Sequence, residues 1–243
     1  ARAEGRDYET GEQLLQRILQ ERRAKWEAEE LAKLRAKGKE PKDDRWKAKY
    51  KEPAAPDTSH LPELPEGWVW TTMQQLLVRS EYGTSVKCSH QADGVPVLRI
   101  PNIAGGRIDL SDMKYATKAL KIDACSAVQP GDVLMCRTNG SVNLVGKVAT
   151  VRAPLEPLHS FASYLLRLRF VETQILPFWI DAYLSSVAGR EHIERHAASS
   201  AGQHNLSLTF VHSMPVPLPP LAEQQRIVAE VERRLSVVEE LER

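Results

Sequence analysis

The chain has 243 residues, of which 42% are hydrophobic and 27% are charged, and its formal net charge is +1. That length allows one or two domains with a hydrophobic core of useful size. The sequence contains neither a signal peptide nor a run of the roughly 18 apolar residues that a membrane span needs, so it predicts a cytoplasmic protein.

The first predicted element is a long helix that occupies residues 11 to about 37. Leu15, Ile18 and Leu19 lie on its apolar stripe, and the following glycine is a common helix end. At 1.5 Å per residue this helix would be about 40 Å long. We therefore define residues 1–38 as an N-terminal helical segment.

Residues 39–67 are predicted to form a connector rather than a domain. This stretch contains five prolines among many lysines and aspartates. Such a composition favours an extended chain that crosses a surface.

The central part, residues 68–218, is predicted to be an α+β (mixed α/β) domain. Runs of alternating or continuous apolar residues predict strands at 95–100, 132–136, 145–151 and 164–170. Residues 175–186 and 188–197 are predicted to be helices, and residues 199–205 a polar loop. Glycine-containing turns separate the strands.

The last predicted element is a helix in residues 219–243. Its apolar residues alternate at spacings of three and four, which is the pattern of a coiled-coil seam. The seam residues are Val228, Val231, Leu235 and Val238. We expect this seam to pack against Leu15, Ile18 and Leu19 of the first helix. A helix that needs a partner is typical of an assembly subunit.

The three cysteines, Cys88, Cys125 and Cys136, are far apart in the sequence and form no CxxC pair. Widely separated cysteines in a cytosolic protein are more typical of reduced thiols than of disulfides or a zinc site. We therefore expect three thiols.

The sequence predicts neither catalytic residues nor a metal site. His192 and His196 are four residues apart on a predicted helix, but they lack the HExxH pattern and a third ligand, so we interpret them as part of a solvated face. Neither a phosphate-binding GxxxxGK[ST] loop nor a GxSxG nucleophile pattern occurs. The Asn/Asp-Pro-Pro-aromatic tetrapeptide of adenine methyltransferases is also absent. These absences argue against a self-sufficient methyltransferase or nuclease.

Three polar loops between the predicted strands instead suggest DNA contacts. Arginine, asparagine and glutamine read base edges, whereas lysine, serine and threonine hold phosphates. Residues 68–218 carry a net charge of +3, against −2 for the two flanks, which permits phosphate contact. The candidate DNA-contacting residues are Arg99, Asn102, Arg107, Arg137, Asn139, Lys147, Gln203 and His204. Each of them could instead be an ordinary turn residue, and the sequence leaves that alternative open.

Several segments together resemble a known family. Residues 203–206 (Gln-His-Asn-Leu) precede a proline-rich strand at 214–221, which runs into Glu-Gln-Gln-Arg-Ile-Val at 223–228. Leu-Pro-Glu-Gly-Trp at 64–68 and Pro-Gly-Asp-Val-Leu at 130–134 fit the same pattern. These segments resemble the target-recognition domain of type I restriction-modification specificity (S) subunits.

The resemblance implies a non-catalytic subunit that binds double-stranded DNA. S subunits carry two recognition domains that each read half of a split site, and two long antiparallel helices join the domains. Those helices bind methyltransferase (M) subunits, and restriction (R) subunits complete the nuclease. S-adenosylmethionine would bind the M subunit, so this chain needs no cofactor. Residues 1–38 and 219–243 would then be spacer helices that form an antiparallel coiled coil in a prokaryotic cytoplasmic complex.

The chain departs from that pattern because it contains one recognition domain instead of two. It is similar to the C-terminal half of an S subunit, and the sequence fits either a natural half-length subunit or a fragment. Two copies packed through their helices could rebuild a symmetric reader of two half-sites. The alternative outside this family is a coiled-coil assembly protein whose central domain does not read sequence.

Overall fold

The computed structural model describes residues 8–171, 176–200 and 202–241. These residues form two compact units. The first unit extends to Val78 and also includes Val211–Gln224. The second unit comprises Arg79–Phe210 and the chain from Gln225 onward. The predicted helix start at Ile175 lies outside the described residues.

Helices and short strands are mixed throughout the described part of the chain, which confirms the predicted mixed fold class. The helices are α1 (Gly11–Ala36), α2 (Met73–Leu76), α3 (Leu176–Ser185), α4 (Val187–His196), α5 (Leu208–Ser213) and α6 (Leu221–Leu241). The strands are β1 (Val69–Thr72), β2 (Leu77–Tyr82), β3 (Cys88–Ser89), β4 (Pro96–Leu98), β5 (Lys114–Ala116), β6 (Val133–Cys136), β7 (Thr138–Asn139), β8 (Val148–Thr150), β9 (Ser160–Phe161), β10 (Leu165–Phe170), β11 (Ala198–Ser200), β12 (Gln203–Asn205) and β13 (Pro215–Leu218). None of the described helices has the length and apolar character of a membrane span.

The long first helix, α1, is confirmed and has well-formed ends. Thr10 caps it by accepting a bond of 3.2 Å from the Gln13 amide, and the Gln13 side chain bonds back to the Thr10 amide at 2.9 Å. This reciprocal capping box satisfies two backbone donors that the helix itself leaves unpaired. Gly38 follows the helix in the left-handed region at φ 68°.

α1 packs against the rest of the first unit through side chains that are spaced four residues apart. Leu14 and Ile18 are each only 1% exposed. Arg22 donates from Nε to the Leu77 carbonyl oxygen at 2.8 Å. Trp26 lies with its ring centroid 5.2 Å from that of Tyr50. Residues four apart face the same side of a helix, so they form a stripe that fixes α1 along its first half.

The connector after α1 is not simply extended, which corrects the prediction for residues 39–67. It contains a 3₁₀ helix, Asp44–Lys49, that packs against α1. Trp46 stacks on Trp26 with the ring centroids 6.1 Å apart, and Tyr50 accepts a hydrogen bond of 2.6 Å from Arg22. These two aromatic side chains gain burial by folding back on the helix, so the proline-rich composition does not decide the conformation here.

The two chain segments of the first unit are joined by an antiparallel pair of strands, β1 and β13. Val69 pairs with Leu218, and Thr72 pairs with Pro215. The N-terminus of α1 lies against this pair, since the Gly11 amide donates to the Gly67 carbonyl oxygen at 2.7 Å. A Cβ atom at Gly11 would lie 2.3 Å from the Leu218 carbonyl oxygen, so only glycine fits at this contact.

The core of the second unit lies between two four-stranded sheets. One sheet has the strand order β2-β10-β6-β8, and the other has the order β3-β5-β4-β9, in which β4 and β9 are parallel. The side chains of one core cluster are Leu98, Ile103, Val128, Leu134, Cys136, Ala149, Val151, Phe161 and Leu165.

The three cysteines are free, and burial raises the pKa of the Cys136 thiol to about 11. The predicted strand at 95–100 is shorter than expected because a 3₁₀ helix begins at Ile100.

Helix α6 is buried at its start and exposed along its second half. Val228 is 7% exposed, and Glu232 forms an ion pair of 2.6 Å with Arg152 in the second unit. Val231 is half-buried. Leu235 and Val238 are 51% and 49% exposed, so the chain itself does not bury these two predicted seam positions.

Asp181 on α3 is a partly buried carboxylate with a testable effect on stability. It accepts bonds from the Thr150 amide at 3.1 Å and the Thr150 hydroxyl at 2.7 Å. Burial nevertheless raises the pKa of this carboxyl above its ordinary value, while the Thr150 bonds act in the opposite direction. A raised folded pKa means that the folded state holds the proton more strongly than the unfolded state. The contribution of Asp181 to stability therefore falls as the pH rises from the unfolded pKa, about 3.9, through the folded pKa.

Replacing Asp181 with asparagine is therefore expected to raise the free energy of unfolding at pH 7. The amide removes the buried charge but keeps an acceptor for Thr150. Urea denaturation at pH 7 and at pH 4 measures the effect, and the gain should shrink at the lower pH as the wild-type carboxyl becomes protonated. The exposed Asp93→Asn is the matched control. A loss of stability at pH 7 would show that the Thr150 bonds outweigh the cost of burial.

Candidate nucleic-acid interface

Within the predicted polar loop at 199–205, the described residues belong to two paired strands, Ala198–Ser200 and Gln203–Asn205, and not to a loop. Strands β11 and β12 pair antiparallel, and β12 continues the sheet to β7, so that His204 lies opposite Asn139 and Asn205 lies opposite Thr138. Gly202 allows the hairpin turn because its φ is 75°, in the left-handed region. Ala201 and the side chains of residues 198–200 lie outside the described part. The hairpin brings residues that are over 60 positions apart into one small sheet.

This sheet divides the predicted residues between its two faces, because side chains alternate along a strand. Gln203 and Asn205 are exposed on one face of β12, and the Thr138 hydroxyl lies 3.3 Å from the Gln203 side-chain oxygen. His204 and Asn139 lie on the opposite face. His204 is half-buried, and its Nδ1 atom is buried and has no hydrogen-bond partner among the described residues.

Arg137 lies at the edge of the sheet immediately before β7. Its guanidinium stacks on the ring of Tyr82 at 4.5 Å from the centroid and donates to the Asn205 side-chain oxygen at 3.0 Å. Backbone bonds to Tyr164 and from Leu206 fix the main chain of Arg137 on both sides. We call Arg137, Thr138, Gln203 and Asn205 the polar face.

Two further predicted residues, Arg107 and Lys147, lie in a different part of the second unit. The Lys147 ammonium donates to the Ala104 carbonyl oxygen at 3.3 Å, and Ala104 belongs to the same turn as Arg107. Both cationic side chains are exposed. Exposed cations are what a phosphate contact requires.

Arg99 and Asn102 have internal roles instead. Arg99 is 8% exposed and forms an ion pair of 2.9 Å with Asp112, and this hydrogen bond lowers the pKa of the Asp112 carboxyl. Asn102 is 1% exposed, accepts from the Arg99 amide at 2.9 Å and donates to the Asp109 and Asp112 carbonyl oxygens at 2.8 Å and 3.1 Å. These bonds hold the loop that ends at Asp112, and both side chains are too buried for the predicted contact with DNA.

His192 and His196 lie on α4 as predicted and belong to a stack of rings. Their centroids are 4.6 Å apart, and both rings stack on Phe210 at 5.7 Å and 5.0 Å. Burial lowers the pKa of His192, and the nearby charges of His196 and Arg195 lower it further. Within the described residues, no group of three or more histidine, cysteine or acidic side chains has the arrangement of a metal site.

Sequence reasoning missed Tyr82 and Asn205 as members of this site. Asn205 could have been found, because it alternates with Gln203 and therefore shares its face of a strand. Tyr82 is 55 residues before Arg137 in the sequence, and only the folded sheet reveals their contact.

The fold is that of proteins from type I restriction-modification systems. A solved structure from a study of complex assembly and conformational transition of the type I R-M system aligns with a TM-score of 0.54 and 20% identity, over 95% of this chain and 51% of that chain. No family model matches the sequence.

Sequence comparison gives particular relatives. The specificity subunit of the type I restriction enzyme EcoKI from Escherichia coli K12 is 27% identical over 170 residues, which are 70% of this chain and 36% of the relative. The specificity subunit of StySPI from Salmonella potsdam is 23% identical over 177 residues, 73% of this chain and 38% of the relative. The predicted resemblance to type I specificity subunits is therefore confirmed. The chain spans little more than a third of the length of these relatives.

Proposed function

We propose that this chain is the sequence-reading part of a type I restriction-modification specificity subunit. In this role it binds one half of a split double-stranded DNA site and directs M and R subunits to that site. The polar face carries the proposal, because it places an arginine, an asparagine and a glutamine side by side on a rigid sheet. These are the side-chain types that make bidentate contacts with base edges.

The exposure and the surroundings of each candidate residue support the following contacts. Arg137, Gln203 and Asn205 would read bases, whereas Arg107 and Lys147 would hold phosphates. Asn139 and His204 lie on the opposite face of the same sheet. They would either support the hairpin or contact the DNA from that face. The chain would be non-catalytic and need no cofactor, since S-adenosylmethionine would bind the M subunit.

We also propose the division of labour along the chain. Residues 68–218 would be the target-recognition domain, residues 1–38 and 219–243 the spacer helices, and residues 39–67 the connector between them. The exposed second half of α6 supports a coiled coil with another helix, either in a homodimer of half-subunits or in a longer parent chain. Assembly in the prokaryotic cytoplasm would follow from this role.

Binding by Gln203→Ala tests the proposed function. In a gel-shift experiment we expect the chain with its M subunit to retain a duplex that carries its target. A duplex with a scrambled target should need an about five- to hundredfold higher protein concentration for the same retention. Gln203→Ala should reduce this preference because it removes one bidentate group. Gln20→Ala, at an exposed position on α1, is the matched control and should leave the preference unchanged.

The same experiment distinguishes the second candidate function. An assembly protein whose central domain does not read sequence would bind target and scrambled duplexes equally, with a steep dependence on salt concentration. Equal binding by the wild-type complex would therefore reject sequence recognition and favour the assembly role.

A further inference from the structure

Arg137 is held in place before any ligand arrives. Its guanidinium lies over the Tyr82 ring and is bonded to Asn205, while its second terminal nitrogen lies 3.5 Å from the Ser163 carbonyl oxygen. Stacking of a guanidinium on an aromatic ring stabilises it and restricts its rotation. An arginine on an open surface would have none of these restraints.

Tyr82 is itself fixed at both ends. Tyr82 is the last residue of β2, and its hydroxyl accepts a hydrogen bond of 3.3 Å from the Leu208 amide at the start of α5. Tyr82 is nevertheless 44% exposed. Tyr82 therefore serves as a rigid and accessible support for Arg137.

The bonds within the chain leave a specific pair of donors on Arg137. Each terminal nitrogen of a guanidinium carries two N–H groups. Asn205 takes one from the first nitrogen and the Ser163 carbonyl takes one from the second, so each nitrogen retains one N–H that has no partner among the described residues. The Nε atom is buried and has no partner among the described residues, so that edge does not face a ligand.

We propose that Arg137 reads a guanine through these two N–H groups, and that Tyr82 and Asn205 are positioning residues that hold the guanidinium for this contact. Guanine presents two acceptors, O6 and N7, in the major groove, and a two-pronged arginine contact is the commonest way to recognise them. A phosphate contact would need no such fixed orientation. The proposal rests on the proposed function and adds the base that one residue selects.

The test begins with the target of the wild-type chain. Methylated adenines are mapped in DNA from cells that express the chain with its M subunit, and the complex is then titrated with duplexes in which each G·C pair of the target is changed in turn to A·T. Arg137→Ala should lose about ten- to hundredfold discrimination at one G·C position and keep it at the others. Arg137→Lys should behave in the same way, because lysine retains the charge but not the two-pronged geometry.

The positioning residues are tested at that same position. Tyr82→Ala and Asn205→Ala should each weaken the discrimination there, whereas Tyr82→Phe should retain it because the ring remains. Adding Tyr82→Ala to Arg137→Lys should cause no further loss. Thermal unfolding verifies that each variant is folded, and Arg195→Ala on the exposed side of α4 is the control for loss of an arginine.

Three results would overturn the proposal. Arg137→Ala could lower affinity equally for every duplex and reduce the slope of the salt dependence by about one, which is the behaviour of a phosphate contact. Arg137→Lys could preserve the discrimination, or Tyr82→Ala could leave it untouched. Failure of the proposed function is a separate result, because the wild-type complex would then show no preference among any of the duplexes.

Discussion

Replacing Asp132 with alanine is expected to lower the free energy of unfolding by about 3–5 kcal/mol, the cost of leaving a buried charge without its partner. Asp132 is 1% exposed and accepts two bonds from Arg169, at 2.6 Å and 2.7 Å. It also lies 3.7 Å from Arg167, which is fully buried in the second unit. Without this carboxylate, Glu81 is the remaining acidic partner of Arg167 among the described residues.

Urea denaturation of the wild-type chain and Asp132→Ala measures this loss. Asp93→Ala removes an exposed carboxylate and should change stability by less than about 0.5 kcal/mol. Glu81→Gln is a second comparison, because Glu81 is 37% exposed and water can compensate for part of its charge. If Asp132→Ala cost no more than Glu81→Gln, the buried ion pairs would not be a major support of the second unit.

Replacing both Leu235 and Val238 with aspartate is expected to weaken self-association or assembly with the M subunit by at least about a hundredfold. Burying one such side chain contributes about 1.5–3 kcal/mol. The loss of two would therefore weaken the affinity by about two to four powers of ten. Charges in the seam would additionally be buried without partners. Analytical ultracentrifugation of the chain, alone and mixed with the M subunit, measures the effect.

The stability of the isolated chain should hardly change in this double variant. Leu235 and Val238 are about half exposed, so their replacement removes little burial within one molecule. Ser236→Asp adds a charge on the same turn of α6 at a fully polar position and serves as the control. Unchanged assembly of the double variant would mean that other surfaces hold the complex together.

The four longer helices, α1, α3, α4 and α6, were predictable from the sequence, whereas the residues against which they pack were not. α1 and α4 occur within one or two residues of their predicted bounds, because apolar periodicity and a terminating glycine such as Gly38 are local signals. The connector was harder to predict, since Trp46 and Tyr50 form structure only by packing on residues 20 or more positions earlier.

The candidate site shows the same limit more sharply. Polarity and position in the sequence favoured Arg99 and Arg137 equally, and the fold separates them by burying the first against Asp112. The sequence predicts a loop around Gly202 because the strands of the hairpin are three residues long and contain few apolar residues. Contacts such as that of Tyr82 with Arg137 depend on tertiary structure, so no local pattern indicates them.

The stripe of Leu14, Ile18, Arg22 and Trp26 also limits where α1 can change in length. One inserted residue rotates everything after it by about 100° around the helix axis. An insertion between Ile18 and Arg22 would therefore turn Arg22 away from the Leu77 carbonyl and Trp26 away from Tyr50. Only insertions close to whole turns would restore these contacts.

Beyond Trp26 this angular restraint weakens, because the contact that follows along α1 is an ion pair of 3.7 Å between Glu27 and Lys47. The later residues of α1 lie outside the stripe, and Lys33, Arg35 and Ala36 are exposed. Insertions after Leu31 would change the reach of the helix by about 1.5 Å per residue without disturbing the phase of its first half. The helix thus combines a segment that tolerates change only in steps of about a turn with one that can vary residue by residue.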